Sequence, residues 1–272
     1  MRLSVQVPTY NRPRALDAVL QGYLRQSDLD FELIVADDGS ADETRLVVER
    51  FQASAPFPIH HVWHPDAGFR LAGIRNRAIA ATAADYLLLT DGDCVPRRHH
   101  VARHKDLAEA GWFVAGSRVY LDHSLTEKVE QGTTHPGLWQ PLNWLRYRAR
   151  GQVTRLGPLM TLPARGRWRR WQPGRWERIK TANLGVWRAD LVAVNGFDEL
   201  FEGWGLEDTD LLLRLIRHGL SHKSGRYAVP VLHLWHPEVS RAGEAGNRER
   251  LAELRGSDRV RARRGLAEGA MG

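Results

Sequence analysis

Three acidic clusters and a pair of histidines carry the residue types able to do chemistry in this chain. Asp91-Gly92-Asp93 closes the apolar run "YLLLTDGD". A glycine between two carboxylates lets both side chains reach one divalent cation, and carboxylate oxygens suit Mg²⁺ or Mn²⁺, which also bind substrate phosphates. Aspartates in such turns also bond their own backbone, so the tripeptide alone leaves both readings open. His233 and His236 in "HLWH" stand three apart at a strand end and could turn toward a metal, Mn²⁺ suiting imidazole better than Mg²⁺. Either could equally be a packed or solvated histidine. Asp37-Asp38-Gly39-Ser40 offers carboxylates for a base N–H or ribose hydroxyls, or for capping the next helix. In "EGWGLEDTD", Trp204 presents a flat apolar face suited to stacking on a sugar ring. Glu207 and Asp208 stand where a helix dipole favours carboxylates, and either could act as a general base toward a hydroxyl. Asp210 is expected to pair with Arg214 one helical turn on.

The elements that must position these groups alternate. Strands are expected over 3–8, 31–38, 59–64, 85–91 and 112–117. Helices are expected over 13–26, 40–54, 71–84 and 96–111, with Pro13 in a first turn and Ser40 with Glu43 as a capping box. Strand–helix alternation predicts an α/β fold with a mainly parallel sheet and helices on both faces. Runs such as "LIVA" and "LLL" read as strands buried on both faces. In open α/β sheets the ligand lies outside the carboxyl ends of the strands, so Pro8-Thr9-Tyr10, Asp37-Asp38 and Asp91-Gly92-Asp93 should meet at one crevice. Further on, 181–188 and 227–238 read as strands and 189–196 as a short helix. Leu211, Leu212, Leu215 and Ile216 recur at helical spacing. A charged helix or fraying tail ends the chain.

The chain has 272 residues, with 39 basic against 32 acidic side chains and a formal charge of +7, which points to an anionic partner. Its single cysteine, Cys94, excludes an internal disulfide and fits a reducing compartment. No apolar run approaches the roughly 20 residues of a membrane span, and no signal-peptide core follows Met1. Between Gln131 and Trp176 the sequence lacks acidic residues and carries Trp139, Trp144, Trp168, Trp171 and Trp176 among many arginines. This stretch could meet anionic lipid headgroups, close as a lid, grip an anionic glycan, or be a folded insertion with tryptophans in its core.

Together "VPTYNR", "VADDGSADET", "GFRLAGIRNRAIAATAADYLLLTDGD" and "NLGVWRADLVAVNGFDELFEGWGLEDTDLLLRLIRHG" resemble inverting family 2 glycosyltransferases of the GT-A fold. The last stretch is similar to bacterial chondroitin synthase domains and to the W-G-x-E-D motif of β-1,4-galactosyltransferases. The resemblance covers roughly 1–120 and 180–240. It implies a single GT-A (Rossmann-like) domain: a nucleotide-sugar-binding half at 1–120, the basic insertion or lid at 121–180, an acceptor-binding and catalytic half at 181–240, and a charged tail at 241–272. It also implies that Pro8, Thr9, Arg12, Asp38, Arg75 and Asp91 line the nucleotide pocket. Asp93 and His236 would ligate Mn²⁺ or Mg²⁺, with His233 standing where the galactosyltransferases carry methionine. Trp204 and Glu207 would hold the acceptor and Asp208 would be the catalytic base.

The expected reaction moves a hexose or N-acetylhexosamine from a UDP-sugar to a hydroxyl of a glycan or lipid-linked glycan, with inversion. The cell-surface acceptor and the basic segment lead to an expected cytoplasmic site, peripheral on the inner face of the membrane. A sugar-1-phosphate nucleotidyltransferase would need a glycine-rich loop after the first strand, and "VPTYNRPRAL" has none. A basic nucleic-acid-binding protein is the other alternative; acidic strand ends have the wrong sign for gripping phosphate, so no nucleic-acid partner is expected.

Overall fold

The computed structural model describes all residues except 165, 178, 238–240, 242 and 270–272. The first half alternates as expected: β1 (Leu3–Thr9), α1 (Pro13–Leu24), β2 (Glu32–Asp37), α2 (Asp42–Gln52), β3 (Ile59–Trp63), α3 (Leu71–Ala80) and β4 (Tyr86–Thr90). There follow β5 (Cys94–Pro96), α4 (His100–Leu107), β6 (Trp112–Ala115), β7 (Arg118–Tyr120), α5 (His123–Glu130) and α6 (Pro141–Ala149). The chain closes with β8 (Asn183–Trp187), α7 (Arg188–Ala193), α8 (Glu207–Arg217), β9 (Ser221–Ser224), β10 (Val231–His233), α9 (Glu244–Arg255) and α10 (Leu266–Gly269).

The main sheet runs β3-β2-β1-β4-β8-β6-β9. Pairing is parallel except on both sides of β8, which is antiparallel to β4 and β6. Alternate residues feed two cores, as a two-faced strand must. Val5, Val7, Leu33, Val35 and Leu88 pack with α1, α2 and α5 on one side. Ile34 and Ala36 meet Ile74 and Ala78 of α3 on the other, where Leu87 and Leu89 also join β8, α7 and α8.

Several local expectations change. Ser40 does not cap α2: Ala41 occupies the N-cap position without a side-chain bond, and Ser40 Oγ accepts the Asn11 N–H at 2.9 Å. That serine ties the β1 and β2 loops together instead of forming a capping box. The helix expected over 96–111 starts only at His100, because Cys94–Pro96 pair with β10 as a strand. The strand expected over 227–238 shrinks to Val231–His233, and Glu238 lies outside the described residues. Asp210 pairs with Arg214 at 2.6 Å, both fully buried.

β5, β10 and β7 form a second, three-stranded sheet, with β10 antiparallel to β5 and parallel to β7. The segment 121–180 leaves this sheet beside the histidine pair, where the Leu121 N–H bonds the His233 carbonyl at 3.0 Å. It returns at the start of β8. Within it Trp144 is buried and meets Trp139 edge-on, and Trp139 stacks on Tyr147. Arg169 is buried too, its guanidinium donating to the carbonyls of Leu162, Pro163, Ser224 and Arg226. Trp168 and Trp171 are exposed. Arg165 and Arg178 of the same basic run lie outside the described residues. The terminal charged stretch forms α9, docked on α8 through Leu251 and Leu254. Among the described residues no helix is long and apolar enough to cross a membrane.

Candidate active site

Because β1, β2 and β4 are parallel, Thr9, Asp37 and Thr90 end on the same edge of the sheet. Because β8 runs the other way, its first residue Asn183 faces Thr90 at that edge. The segment just before β8 therefore also opens on the crevice, which brings Lys180 there.

The β4–β5 turn is tightly packed. A Cβ on Gly92 would lie 2.4 Å from the Pro8 carbonyl oxygen, so only glycine lets the aspartate turn seat on the end of β1. Arg75 is fully buried; its Nη2 donates to the Thr90 carbonyl at 3.1 Å and to Asp91 Oδ1 at 2.8 Å. Burial raises the Asp91 carboxyl, Arg75 opposes the rise, and the charges of Asp93 and Asp208 add to it. The influence of Asp208 means that the β4 turn and the start of α8 share one electrostatic field.

Asp93 is the meeting point of several groups. Arg12 Nη1 donates to its Oδ2 at 2.9 Å. His233 Nε2 lies 3.6 Å from Oδ1 and His236 Nε2 lies 3.6 Å from Oδ2. His236 Nδ1 sits 2.7 Å from the Pro237 carbonyl, so the hydrogen-bond network assigns the proton to Nδ1. The Nε2 lone pair then faces a carboxylate oxygen, acceptor against acceptor. Such an arrangement calls for a cation or a proton between them. The oxygen-and-imidazole donor set fits Mn²⁺ or Mg²⁺. His233 Nδ1 is buried without a partner, and burial lowers the pKa of its ring, keeping the imidazole neutral as a ligand must be. Donor atoms of Asp93, Cys94 and His233 lie within 4.8 Å of one another. Burial and the aspartates push the Cys94 thiol well up, so it stays protonated beside Asp93.

On the nucleotide side, Asp38 is buried, with Oδ1 2.8 Å from His64 Nε2 and Oδ2 accepting the Arg70 N–H at 2.9 Å. Burial raises its carboxyl. Asp37 is held below the usual range: its burial is outweighed by bonds from His61 and Ser40. Thr9 Oγ1 is buried without a partner, and the Thr9 carbonyl accepts the Asp38 N–H at 3.0 Å.

Across the crevice, "GWGLED" makes a turn with Gly203, Gly205 and Leu206 all at positive φ. Asn247 of α9 fixes it by donating to the carbonyls of Glu202 and Gly205, each at 3.0 Å. Trp204 stands at the rim, with the Arg241 guanidinium 5.2 Å from its ring. Glu207 and Asp208 follow at the start of α8. Lys180 Nζ reaches Asp208 Oδ2 at 3.1 Å, and Thr209 Oγ1 donates to Asp208 Oδ1. Glu207 is buried and its Oε2 has no hydrogen-bond partner. Burial, with the Asp208 charge beside it, pushes the Glu207 carboxyl up to about 7.

The structure thus brings Pro8, Thr9, Arg12, Asp38, Arg75, Asp91, Asp93, His233 and His236 to one edge, with Trp204, Glu207 and Asp208 opposite. Sequence reasoning passed over Lys180, Arg118, His61 and His64. Arg118 stacks on Tyr120. Burial works against its charge, but Tyr120, Asp91 and Asp93 hold its pKa above the ordinary value. Its signal was a cation directly after the short strand "WFVAGS". Lys180 gave no such signal, because the reversed direction of β8 is not written in its residues.

Comparisons with known proteins bear on the family and the fold. The model for glycosyl transferase family 2 matches residues 4–171, and one described as the N-terminal domain of galactosyltransferase matches residues 172–236. The chain is 34% identical over 237 residues to validoxylamine A glucosyltransferase of Streptomyces hygroscopicus subsp. jinggangensis, covering 80% of this chain and 52% of that protein. It is 28% identical over 231 residues to chondroitin synthase of Pasteurella multocida, covering 80% of this chain and 23% of that one. The chain therefore spans about half or less of the length of these relatives. Among solved structures, S. aureus TarS 1-349 in complex with UDP superposes with a TM-score of 0.63 at 15% identity, over 99% of this chain and 68% of that one. The mannosyltransferase PcManGT of Pyrobaculum calidifontis, in complex with GDP-Man and Mn²⁺, gives 0.57 at 19% identity, over 94% and 62%. Both share the fold, a mainly parallel GT-A sheet flanked by helices, and the chain belongs to glycosyl transferase family 2.

Proposed function

We propose that the protein transfers a hexose or N-acetylhexosamine from a UDP-sugar to a hydroxyl of a glycan or lipid-linked glycan, inverting the anomeric carbon, with Mn²⁺ or Mg²⁺ bound. The observation that carries the proposal is the opposition of two acidic clusters across one crevice. One is ringed by histidines and arginines and the other has a free carboxylate oxygen. The relative bound to UDP supports a nucleotide-diphosphate donor, and the one holding Mn²⁺ supports a cation at Asp93.

In this reading Asp93, His236 and His233 hold the cation, whose chemistry is to neutralise charge on the departing diphosphate. Pro8, Thr9 and Asp38 line the base and ribose. Arg12 and Arg75 set the positive potential that the diphosphate enters, and Asp91 orients Arg75. Glu207 Oε2 bonds an acceptor hydroxyl while Trp204 packs on the sugar face. Asp208 takes the proton of the attacking hydroxyl as its oxygen bonds to C1 and the C1–O bond to the diphosphate breaks. Lys180 holds the Asp208 carboxylate in place until the acceptor arrives. Residues 1–120 would then serve the donor and 181–240 the acceptor, with 121–180 between them and 241–272 bracing the turn through α9. A cell-surface polysaccharide or lipopolysaccharide acceptor would set the work in the cytoplasm, against the anionic inner face of the membrane.

The deciding experiment measures UDP release from a panel of UDP-sugars with and without Mn²⁺, and reads the anomeric configuration of the product by NMR. Metal-dependent release with an inverted product is expected. Release unaffected by chelation, or a retained configuration, would refute the mechanism.

A further inference from the structure

A cavity of about 390 Å³ lies away from the active-site crevice, beneath the approach to α6. Arg97, Arg98, His100 and Arg103 form one wall, and Leu138–Pro141 and Ala228–Pro230 form the others. No carboxylate lines it. Arg97 Nη1 donates to the Leu159 carbonyl at 2.8 Å, and Arg103 Nη1 to the Ala228 carbonyl at 3.0 Å. Among the described residues none of the three arginines has an acidic partner within ion-pair distance. His100 is 1% exposed, and neither of its ring nitrogens has a partner. Burial and the charge of Arg103 both disfavour the Arg97 cation, Asp106 only partly offsets the burial of Arg103, and a buried imidazole without a bond is costly. A phosphate oxygen would answer the arginines, since guanidinium binds phosphate in a planar fork.

The same edge of the molecule carries α6, which is apolar both inward and outward. Trp144 and Tyr147 point inward onto Trp139. Leu142 is 76% and Leu145 57% exposed, with Leu138 at the cavity rim also exposed. Arg146, Arg148 and Arg150 flank them on the surface. Outward leucines set among arginines suit an interface in which apolar side chains enter the acyl boundary and cations meet headgroups. The tryptophan-dense run 165–178 is the weaker candidate for this role, because Arg169 is buried on carbonyls and Arg170 is paired with Glu109.

We propose that the α6 face docks on an anionic phospholipid surface, seating a lipid phosphate among Arg97, Arg98 and Arg103. This deepens the membrane contact in the proposed function and rests on that reading only for the location of the acceptor.

Co-flotation of the full chain with vesicles tests it. Phosphatidylcholine alone should recruit little protein. Vesicles with about 30% phosphatidylglycerol should bind at least roughly tenfold more, and the binding should fall in about 0.5 M salt. Arg98→Glu should cut the binding several-fold, as should Leu142→Asp combined with Leu145→Asp. The pair Trp168→Ser with Trp171→Ser should leave it unchanged. UDP binding and circular dichroism serve as fold controls in each variant. No binding to phosphatidylglycerol vesicles overturns the proposal. So does binding that survives in both the Arg98 and the leucine variants, or protection of the cavity by inorganic phosphate alone without vesicle binding. Vesicle binding that persists in a protein unable to release UDP from any UDP-sugar upholds the docking surface and counts against the transferase reading instead.

Discussion

The two carboxylate pairs of the crevice are built in opposite ways. Asp91 and Asp93 end a central strand and are surrounded by cations: Arg75 on the first, Arg12 on the second, with Arg118 and two imidazoles nearby. Glu207 and Asp208 open a helix, with Lys180 paired to Asp208 and one glutamate oxygen left unsatisfied; Arg75 and Lys180 reach Glu207 only through their charge. The first arrangement stabilises fixed negative charge and suits the holding of an ion. The second leaves a carboxyl free to gain or lose a proton near neutrality and suits traffic with a hydroxyl. The contrast follows from location: a strand end inside the sheet can be reached by cations from neighbouring elements, whereas the buried first turn of α8 leaves Glu207 Oε2 without a partner.

Substitutions sharpen this contrast. Asp93→Ala should have the largest effect, abolishing Mn²⁺-dependent UDP binding in calorimetric titration and lowering transfer by about 10³-fold or more. Unchanged titration would remove the ion from the first pair. Asp208→Asn should lower kcat by about 10²- to 10³-fold while UDP binding persists. Retained turnover would strip the second pair of its role as base.

Glu207→Gln probes the raised carboxyl. With a folded pKa of about 7 against an ordinary 4.5, the native protein binds the proton more tightly than the unfolded chain. Its contribution to stability is therefore full below about pH 4.5 and is lost as pH rises through 7. Urea denaturation should show wild type losing about 2–3 kcal/mol between pH 5 and 8 from this group, a slope absent in the glutamine variant. Equal slopes would show that Glu207 is ionised like any surface glutamate. The smallest effect is expected for Lys180→Met, about a tenfold loss in kcat/KM carried mainly by a lowered kcat with KM little changed, since the lysine orients Asp208 without touching the sugar.

The α/β alternation and the carboxyl-edge crevice were legible because buried strands and amphipathic helices leave periodic signatures, and because Asp91, Asp93, Asp38 and Asp208 all sit at element ends. The capping box at Ser40 failed because the serine is claimed by a partner distant in sequence, the Asn11 amide, which local pattern cannot reveal. The reversal of β8 and the arrival of Lys180 were hidden for the same reason: strand direction is settled by tertiary pairing. In the basic segment, composition alone could not separate Arg169, sunk among carbonyls, from Arg146 and Arg148 on the surface.

Residues 121–180 depart beside His233 and come back at Lys180, next to Asp208. The segment is thus moored at both poles of the crevice, one end beside His233 and the other beside Asp208. A cargo that tugs on it, or a change in its length, is felt at donor and acceptor together. A segment anchored at both ends in this way is able to bring the two halves into step.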